Sequence, residues 1–321
     1  MTTELLHAPS PESCASAIPV VLPVGPDHDP RPAVASSVRA ASEDRPATRI
    51  VHVLVLNGTR PHRVDPEVLV KEVAECTDAF AVADIPEDIG YIRAVRAGLR
   101  IASDLGTRAD LVGFLDADAM LHGTAHWARL EAALAEEASL DAISGMVVHE
   151  QCRMWETPSS RRFVDALAHG REAVSKPYIQ GGAGGTLARR PAFEAAVGAA
   201  LDLGTLIGPT LSASALAQGR VIRATSDLPC GHTARRTLEE WLTSVSVYER
   251  SWRRLRAVHG TGIERPWRDF LHDAEQRVRR DPGLARDLAD CQALRRLVVE
   301  RVEREEETSP RGTELSLTTS I

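Results

Sequence analysis

Two aspartates one residue apart, Asp116 and Asp118, are the residues in this chain best placed to do chemistry. They follow an unbroken apolar run, Leu111–Leu115, in the stretch LVGFLDADAM. A run this short and apolar predicts a strand buried on both faces of a parallel sheet. In open α/β sheets ligands bind beyond the carboxyl ends of the strands, which is where both acids would fall. Two carboxylates so close repel each other unless a positive charge lies between them. A hard divalent cation, which commonly binds substrate phosphates alongside protein oxygens, satisfies that demand. The stretch therefore predicts a metal-assisted phosphate site. The same triplet would also suit a helix cap or a solvated acidic loop, so the surrounding elements must decide.

Those elements alternate. Arg49–Leu56 is a β-branched run ending in Asn57-Gly58-Thr59, a strand-to-loop exit. Asp65-Pro66 supplies an N-cap and a first-turn proline for a helix over Pro66–Cys76. Ala79–Ala83 reads as a second strand, closed by Asp84-Ile85-Pro86. In Ile89–Leu105 the apolar residues Ile92, Val95, Leu99 and Ala102 keep helical spacing, and Arg93, Arg96 and Arg100 take other faces. A helix near Thr124–Ala138 and a strand near Asp141–Val148 follow the aspartates. This order predicts a mostly parallel sheet with helices on both faces.

Further on, Arg161–Val174 reads as a helix, Tyr178–Arg190 (YIQGGAGGTLARR) as a glycine-rich segment, and Pro191 opens a helix to about Leu201. Leu206–Gly219 reads as a helix, Val221–Ala224 as a short strand and Asp227–His232 as a loop, with an almost wholly helical stretch over Thr237–Val302. Residues 1–48, rich in Pro, Ser, Ala and Asp, are expected to be a flexible tail. Within them Ala15–Val24 is apolar but broken by Pro19 and Pro23 and has no basic flank, so it reads as disordered leader rather than signal peptide. A second tail is expected over 303–321.

Composition narrows the function classes. A formal net charge of −7 and an aromatic content of 4% argue against a general nucleic-acid binder. Five cysteines with no CxxC pair point to a reducing compartment, and no apolar run has membrane-spanning length, so a cytoplasmic location is expected. The glycines fit neither a P-loop nor a dinucleotide fingerprint. By themselves they read as a flexible turn between strand and helix. His122, His126 and His149 read as solvated. The arginines from Arg235 to Arg280 read as an exposed, salt-laced helical face, and Trp241, Trp252 and Trp267 as packing residues.

The order of a Gly-Tyr-Ile-Arg-Ala-x-Arg-Ala-Gly-Leu helix, FLDAD, a glycine-rich segment ending in Arg189-Arg190, and a later strand followed by a histidine resembles the family 2-like glycosyltransferases of GT-A fold. The resemblance spans roughly Ile50 to Arg256. It implies a GT-A (Rossmann-like), mostly parallel α/β catalytic domain over 49–233, with a helical extension over 234–302. It also implies a UDP- or GDP-linked sugar donor, a small-molecule acceptor, and Mn²⁺ or Mg²⁺. Asn57 and Thr59 would line the nucleotide mouth, Asp84 would read the base, and Arg93 would face the diphosphate, with Lys176 as another possible cation. Asp116 would reach the ribose or the metal, Asp118 would bind the metal directly, and His232 would complete the coordination. Gly182, Gly184 and Gly185 would form the sugar-binding loop.

Two family features are missing. Gly208-Pro209-Thr210 stands where inverting members carry an acidic pair, and QxxRW of processive members is replaced by Tyr248-Glu249-Arg250-Ser251-Trp252. The expected reaction is therefore non-processive, and Asp202, Glu150 and Glu156 are the candidate bases. Rival readings are a sugar-phosphate nucleotidyltransferase and a non-catalytic binding scaffold.

Overall fold

The computed structural model describes residues 3–42, 49–58, 64–149, 175–179, 181–232, 238–266 and 282–308, with Arg268, Asp269, His272 and Gln276. In chain order the described strands are β1 (Glu4–His7), β2 (Ile18–Val24), β3 (Ile50–Asn57), β4 (Phe80–Ile85), β5 (Leu111–Phe114), β6 (Ala119–Leu121), β7 (Leu140–His149), β8 (Ser175–Lys176), β9 (Thr186–Arg189) and β10 (Val221–His232). The helices are α1 (Pro11–Cys14), α2 (Arg31–Ser42), α3 (Pro66–Ala74), α4 (Tyr91–Asp104), α5 (His126–Glu136), α6 (Arg190–Leu203), α7 (Ile207–Ala217), α8 (Leu238–His259) and α9 (Pro282–Thr308).

One sheet runs in the order β1-β4-β3-β2-β5-β9-β7-β10-β6, and β8 pairs β10 off that path. The four neighbours β4-β3-β2-β5 are parallel, which is the half-sheet of a Rossmann-like nucleotide fold. The rest is mixed. β9 runs antiparallel to both β5 and β7, β1 antiparallel to β4, and β6 and β8 antiparallel to β10, with β7–β10 the one parallel pair beyond the first half. The expectation of a mostly parallel sheet is corrected to a mixed one. Strands of three or four residues flanked by turn residues carry too little periodicity to announce their direction.

Strand periodicity divides the core. Ile18, Val20, Leu22, Leu54 and Leu56 face the layer of α2, α3 and α5, with Val34, Leu69 and Trp127. Val21 and Val112 face α4, α6 and α7 through Val95, Phe193 and Leu211. Val51, Val53 and Val55 face Ala94 and Ala97 of α4. Each such fully buried Val or Leu contributes about 1.5–3 kcal/mol relative to an exposed one. As expected from sequence, Asp65 caps α3, accepting hydrogen bonds from the backbone N–H groups of Glu67 and Val68.

The largest correction concerns residues 1–48, expected to be a tail. β2 lies at the centre of the sheet and every residue of it is buried. Its prolines misdirect a sequence reading, because proline cannot donate to a ladder. The geometry accommodates them. The Ile18 N–H donates to the Arg49 carbonyl on the β3 side, so alternation turns the nitrogens of residues 19, 21 and 23 toward β5. β5 pairs with β2 only at Val20 and Val21, and the missing donors of Pro19 and Pro23 fall outside that ladder.

At the other end α9 continues to Thr308, so the expected tail from Glu303 is helical over its first residues. α9 lies along α8, held by Arg253–Glu303 at 2.9 Å, Arg301–Glu239 at 2.8 Å and Arg250–Glu305. The salt-laced arginines of this region thus join two helices, and Trp252 packs beside Leu255 and Ile263 as expected. The expected helix over Arg161–Val174 lies outside the described residues, as do the side chains of Trp241 and Trp267. Among the described residues no single helix is long and apolar enough to cross a membrane.

Candidate metal centre

The exits of the parallel strands converge on Asp116. β5 ends at Phe114, the Leu115 N–H is still held by the Val21 carbonyl, and a tight turn closes when the Ala119 N–H donates to the Asp116 carbonyl. The chain then reverses into β6, which pairs antiparallel with the end of β10 in the register Cys230↔Leu121, Gly231↔Met120, His232↔Ala119. This register sets His232 opposite the residue that follows Asp118. Its Nε2 lies 3.2 Å from Asp118 Oδ1, with the side chains 10% and 17% exposed respectively.

β10 reaches that point because it is bulged. Thr225 pairs with Gly145 but Pro229 pairs with Met146, so Ser226, Asp227 and Leu228 are extruded from the β7 ladder. The expected loop over Asp227–His232 is corrected: the strand resumes and carries its histidine into the site. The bulge hides the period-2 signal that would have marked the strand. Its Leu228 carbonyl crosses so close to Gly145 that a Cβ there would lie 2.2 Å from it.

Asp116, Asp118 and His232 each offer a ligand atom, all within 4.8 Å of one another. Donors about 2.1 Å from a common ion are about 3.0 Å apart when adjacent and about 4.2 Å apart when opposite. The 3.2 Å His232–Asp118 separation is already that of adjacent ligands. Two carboxylates and an imidazole form an oxygen-rich set compatible with Mn²⁺. Burial, and then the neighbouring Asp118 charge, push Asp116 up to about 6, against the opposing influence of His232 and a hydrogen bond from Tyr91. A cation seated between the acids would remove that strain.

Tyr91, the first residue of α4, donates its hydroxyl to Asp116 Oδ1. On another side of the same carboxylate is Gly182, in the 3-10 turn Gly181–Gly184, where a Cβ would lie 2.3 Å from Oδ1 and 2.7 Å from the Asp116 backbone nitrogen. His28, in the loop after β2, is close enough to influence Asp116, and among the described residues no hydrogen-bond partner meets its buried Nδ1. Sequence reasoning missed Tyr91 and His28. The second was missed because β2 was not recognised as a strand; the first could have been found as the residue opening the helix that leads toward the acids.

A mannosyltransferase from Pyrobaculum calidifontis, solved in complex with GDP-Man and Mn2+, matches this structure with a TM-score of 0.55 and 16% sequence identity, over 95% of this chain and 83% of that one. This chain shares the fold of that protein. No family model and no curated protein matches the sequence.

Within this fold the remaining expected residues take varied places. Asn57 ends β3 and braces the loop into α4: its Oδ1 accepts from the Ile89 N–H at 3.0 Å and its Nδ2 donates to Asp88 at 3.3 Å. Asp84 is buried in β4, paired in register with Glu4 of β1 and Leu56 of β3. Arg93 is exposed on α4, in step with Arg96 and Arg100. Asp202 is exposed in the last turn of α6, outside the three-residue cluster. Gly184 and Gly185 are buried against protein: a Cβ would meet the Gly145 carbonyl at 2.5 Å in one case, and Leu121 at 2.5 Å and His126 at 2.9 Å in the other. His126, expected to be solvated, is fully buried, with Nε2 2.9 Å from the Gly185 carbonyl, whereas His122 is exposed as expected. Thr59, Glu150 and Glu156 lie outside the described residues, as do the side chains of His149 and Lys176.

Proposed function

We propose that this chain is a metal-dependent, non-processive glycosyltransferase of the GT-A, family 2-like kind. It moves a sugar from a UDP- or GDP-linked donor to a small-molecule acceptor. The observation that carries the reading is the convergence of Asp116, Asp118 and His232, from opposite halves of the sheet, at the carboxyl end of β5. The similar fold of an enzyme solved with GDP-Man and Mn2+ supports it.

Asp116, Asp118 and His232 would hold the ion, with the imidazole favouring Mn²⁺ over Mg²⁺. When bound, a divalent ion supplies the positive charge that neutralises a diphosphate as it leaves. The chain's own residues do the rest. The strand exits at Gly25–Asp29, Asn57–Gly58 and Asp84–Asp88 form the nucleotide mouth, with Asp84 toward the base. The glycine turn supports the sugar through Gly182, with Gly184 and Gly185 packing the turn against the protein beneath it, and Arg93 reaches over the diphosphate. Removal of the acceptor proton falls to Asp202 or Glu150. The nucleotidyltransferase alternative would require a basic, glycine-rich exit from the first parallel strand. That exit here is Gly25-Pro26-Asp27-His28-Asp29-Pro30, and the next cation, Arg31, is engaged by Asp29 and Glu72.

Calorimetry with UDP- and GDP-sugars in the presence of Mn²⁺ tests the reading. The expected result is binding of one donor class that the Asp118→Ala variant loses. Absence of binding by either class, or an Asp118→Ala variant indistinguishable from the parent, overturns it. Pyrophosphate release from a nucleoside triphosphate would select the nucleotidyltransferase instead, and donor binding without transfer to any acceptor the non-catalytic scaffold.

A further inference from the structure

Asp116 is oriented from outside the ligand set, and every element involved is placed by a separate packing constraint. Gly98 presses α4 onto the sheet so closely that a Cβ there would lie 2.6 Å from Val21 Cγ1. Two helical turns earlier on the same face is Tyr91. Gly90, at φ +78, turns the chain into α4, and the Asn57 side chain pins Asp88 and Ile89 just before it. The Tyr91 ring lies against Phe114, centroids 6.0 Å apart, and Phe114 stands against Phe193 at 5.3 Å. The hydroxyl therefore arrives at Asp116 Oδ1 on a rigid arm, and the Gly182 Cα crowds the same oxygen from another direction.

We infer that Tyr91 is a positioning residue for the metal centre: its hydroxyl fixes the plane of the Asp116 carboxylate, so that the acid is presented to an ion shared with Asp118 and His232. This rests on the metal-dependent reading above and extends it to a residue outside the ligand set. A carboxylate free to rotate would need to be ordered when the ion arrives, and one already held binds more tightly. The alternative role for Tyr91 is simple packing of its ring on Phe114. The two separate cleanly, because phenylalanine keeps the ring and loses the hydroxyl.

The experiment is a titration of the nucleotide-free protein with Mn²⁺, following the free ion by electron paramagnetic resonance, for the parent, Tyr91→Phe, Ile92→Val and Asp118→Ala. Ile92 is buried one residue along α4 in the same apolar cluster, so its variant loosens packing without touching Asp116. The expected result is a Kd for Mn²⁺ raised about tenfold or more in Tyr91→Phe, as loss of a partner to a ligating carboxylate commonly produces. Ile92→Val should stay within about twofold of the parent. A Tyr91→Phe variant that binds like the parent, or an Ile92→Val variant weakened as much as Tyr91→Phe, overturns the inference. If Asp118→Ala abolishes binding while Tyr91→Phe leaves it intact, only this inference falls. A parent protein that binds no Mn²⁺ removes the metal-dependent reading and this inference together.

Discussion

The two halves of the sheet solve the same packing problem by different means. In the parallel half, β4-β3-β2-β5, helices cover both faces and strand residues alternate between two apolar layers. Its central polar group is His52, fully buried in β3, with Nε2 2.8 Å from Ser37 Oγ, which also accepts from Trp127 Nε1 at 2.9 Å. In the mixed half, β9-β7-β10-β6, backbone crosses backbone: the β10 bulge passes over Gly145, and the glycine turn sits against β7 and under Asp116. Where a glycine allows close approach in the first half the neighbour is a side chain, as at Gly98 and Val21, whereas in the second it is backbone, as at Gly145 and the Leu228 carbonyl. The candidate metal centre lies where the halves meet, with two acids that follow β5 of the parallel half and a histidine from the mixed one.

That contrast predicts unequal responses to substitution. Gly145→Ala, in the mixed half, should be the most damaging, because its Cβ would lie 2.2 Å from the Leu228 carbonyl and 2.9 Å from the Gly184 carbonyl. A loss of about 3 kcal/mol or more by urea denaturation is expected, since backbone rather than a flexible side chain must yield. A stability within error of the parent would break the claim that close backbone approach holds this half together.

The parallel half should instead report through pH. Burial lowers His52 from its ordinary 6.5 to about 4. Between those values the unfolded chain takes up protons that the folded chain refuses. The stability is fully present above about pH 6.5 and is lost as pH falls toward 4, by up to about 3 kcal/mol. Denaturation curves from pH 7 to 4.5 should show this decline, and His52→Leu should make it shallower. An unchanged slope in that variant would mean that the burial of His52 has been misjudged.

The smallest effect should have the opposite sign. Gly198 lies within α6, and apart from its own helix backbone no atom of the described residues stands within 4 Å of where its Cβ would be. Gly198→Ala should stabilise by about 0.5–1 kcal/mol through helix propensity alone, read as a rise in thermal midpoint. A loss there would show that bare glycine is needed on α6 as it is at Gly98 of α4.

Legibility in the sequence follows the same division. β3, β4, α4 and β5 were readable because continuous apolar runs and helical spacing are local signals. β2 was not, because Pro19 and Pro23 look prohibitive until one knows that β5 is too short to need their donors. β6 and β9 were not, because a strand of three or four residues has no period to detect. Asp116 and Asp118 were found from the apolar run before them, and His232 from a resemblance. Tyr91 escaped notice, because a tyrosine at a helix start looks the same whether it packs or positions.

By itself the sequence determined where two acids must end a buried strand, and that the first half of the chain alternates strand and helix. Both follow from interactions between residues close along the chain. Only the tertiary structure decided that residues 18–24 form the central strand, that a bulge lets β10 deliver His232 to Asp118, and that Gly182 is bare to make room for Asp116. Those are meetings of backbone and side chain across tens to hundreds of residues, governed by sheet register and close approach, and neither leaves a pattern in neighbouring residue types.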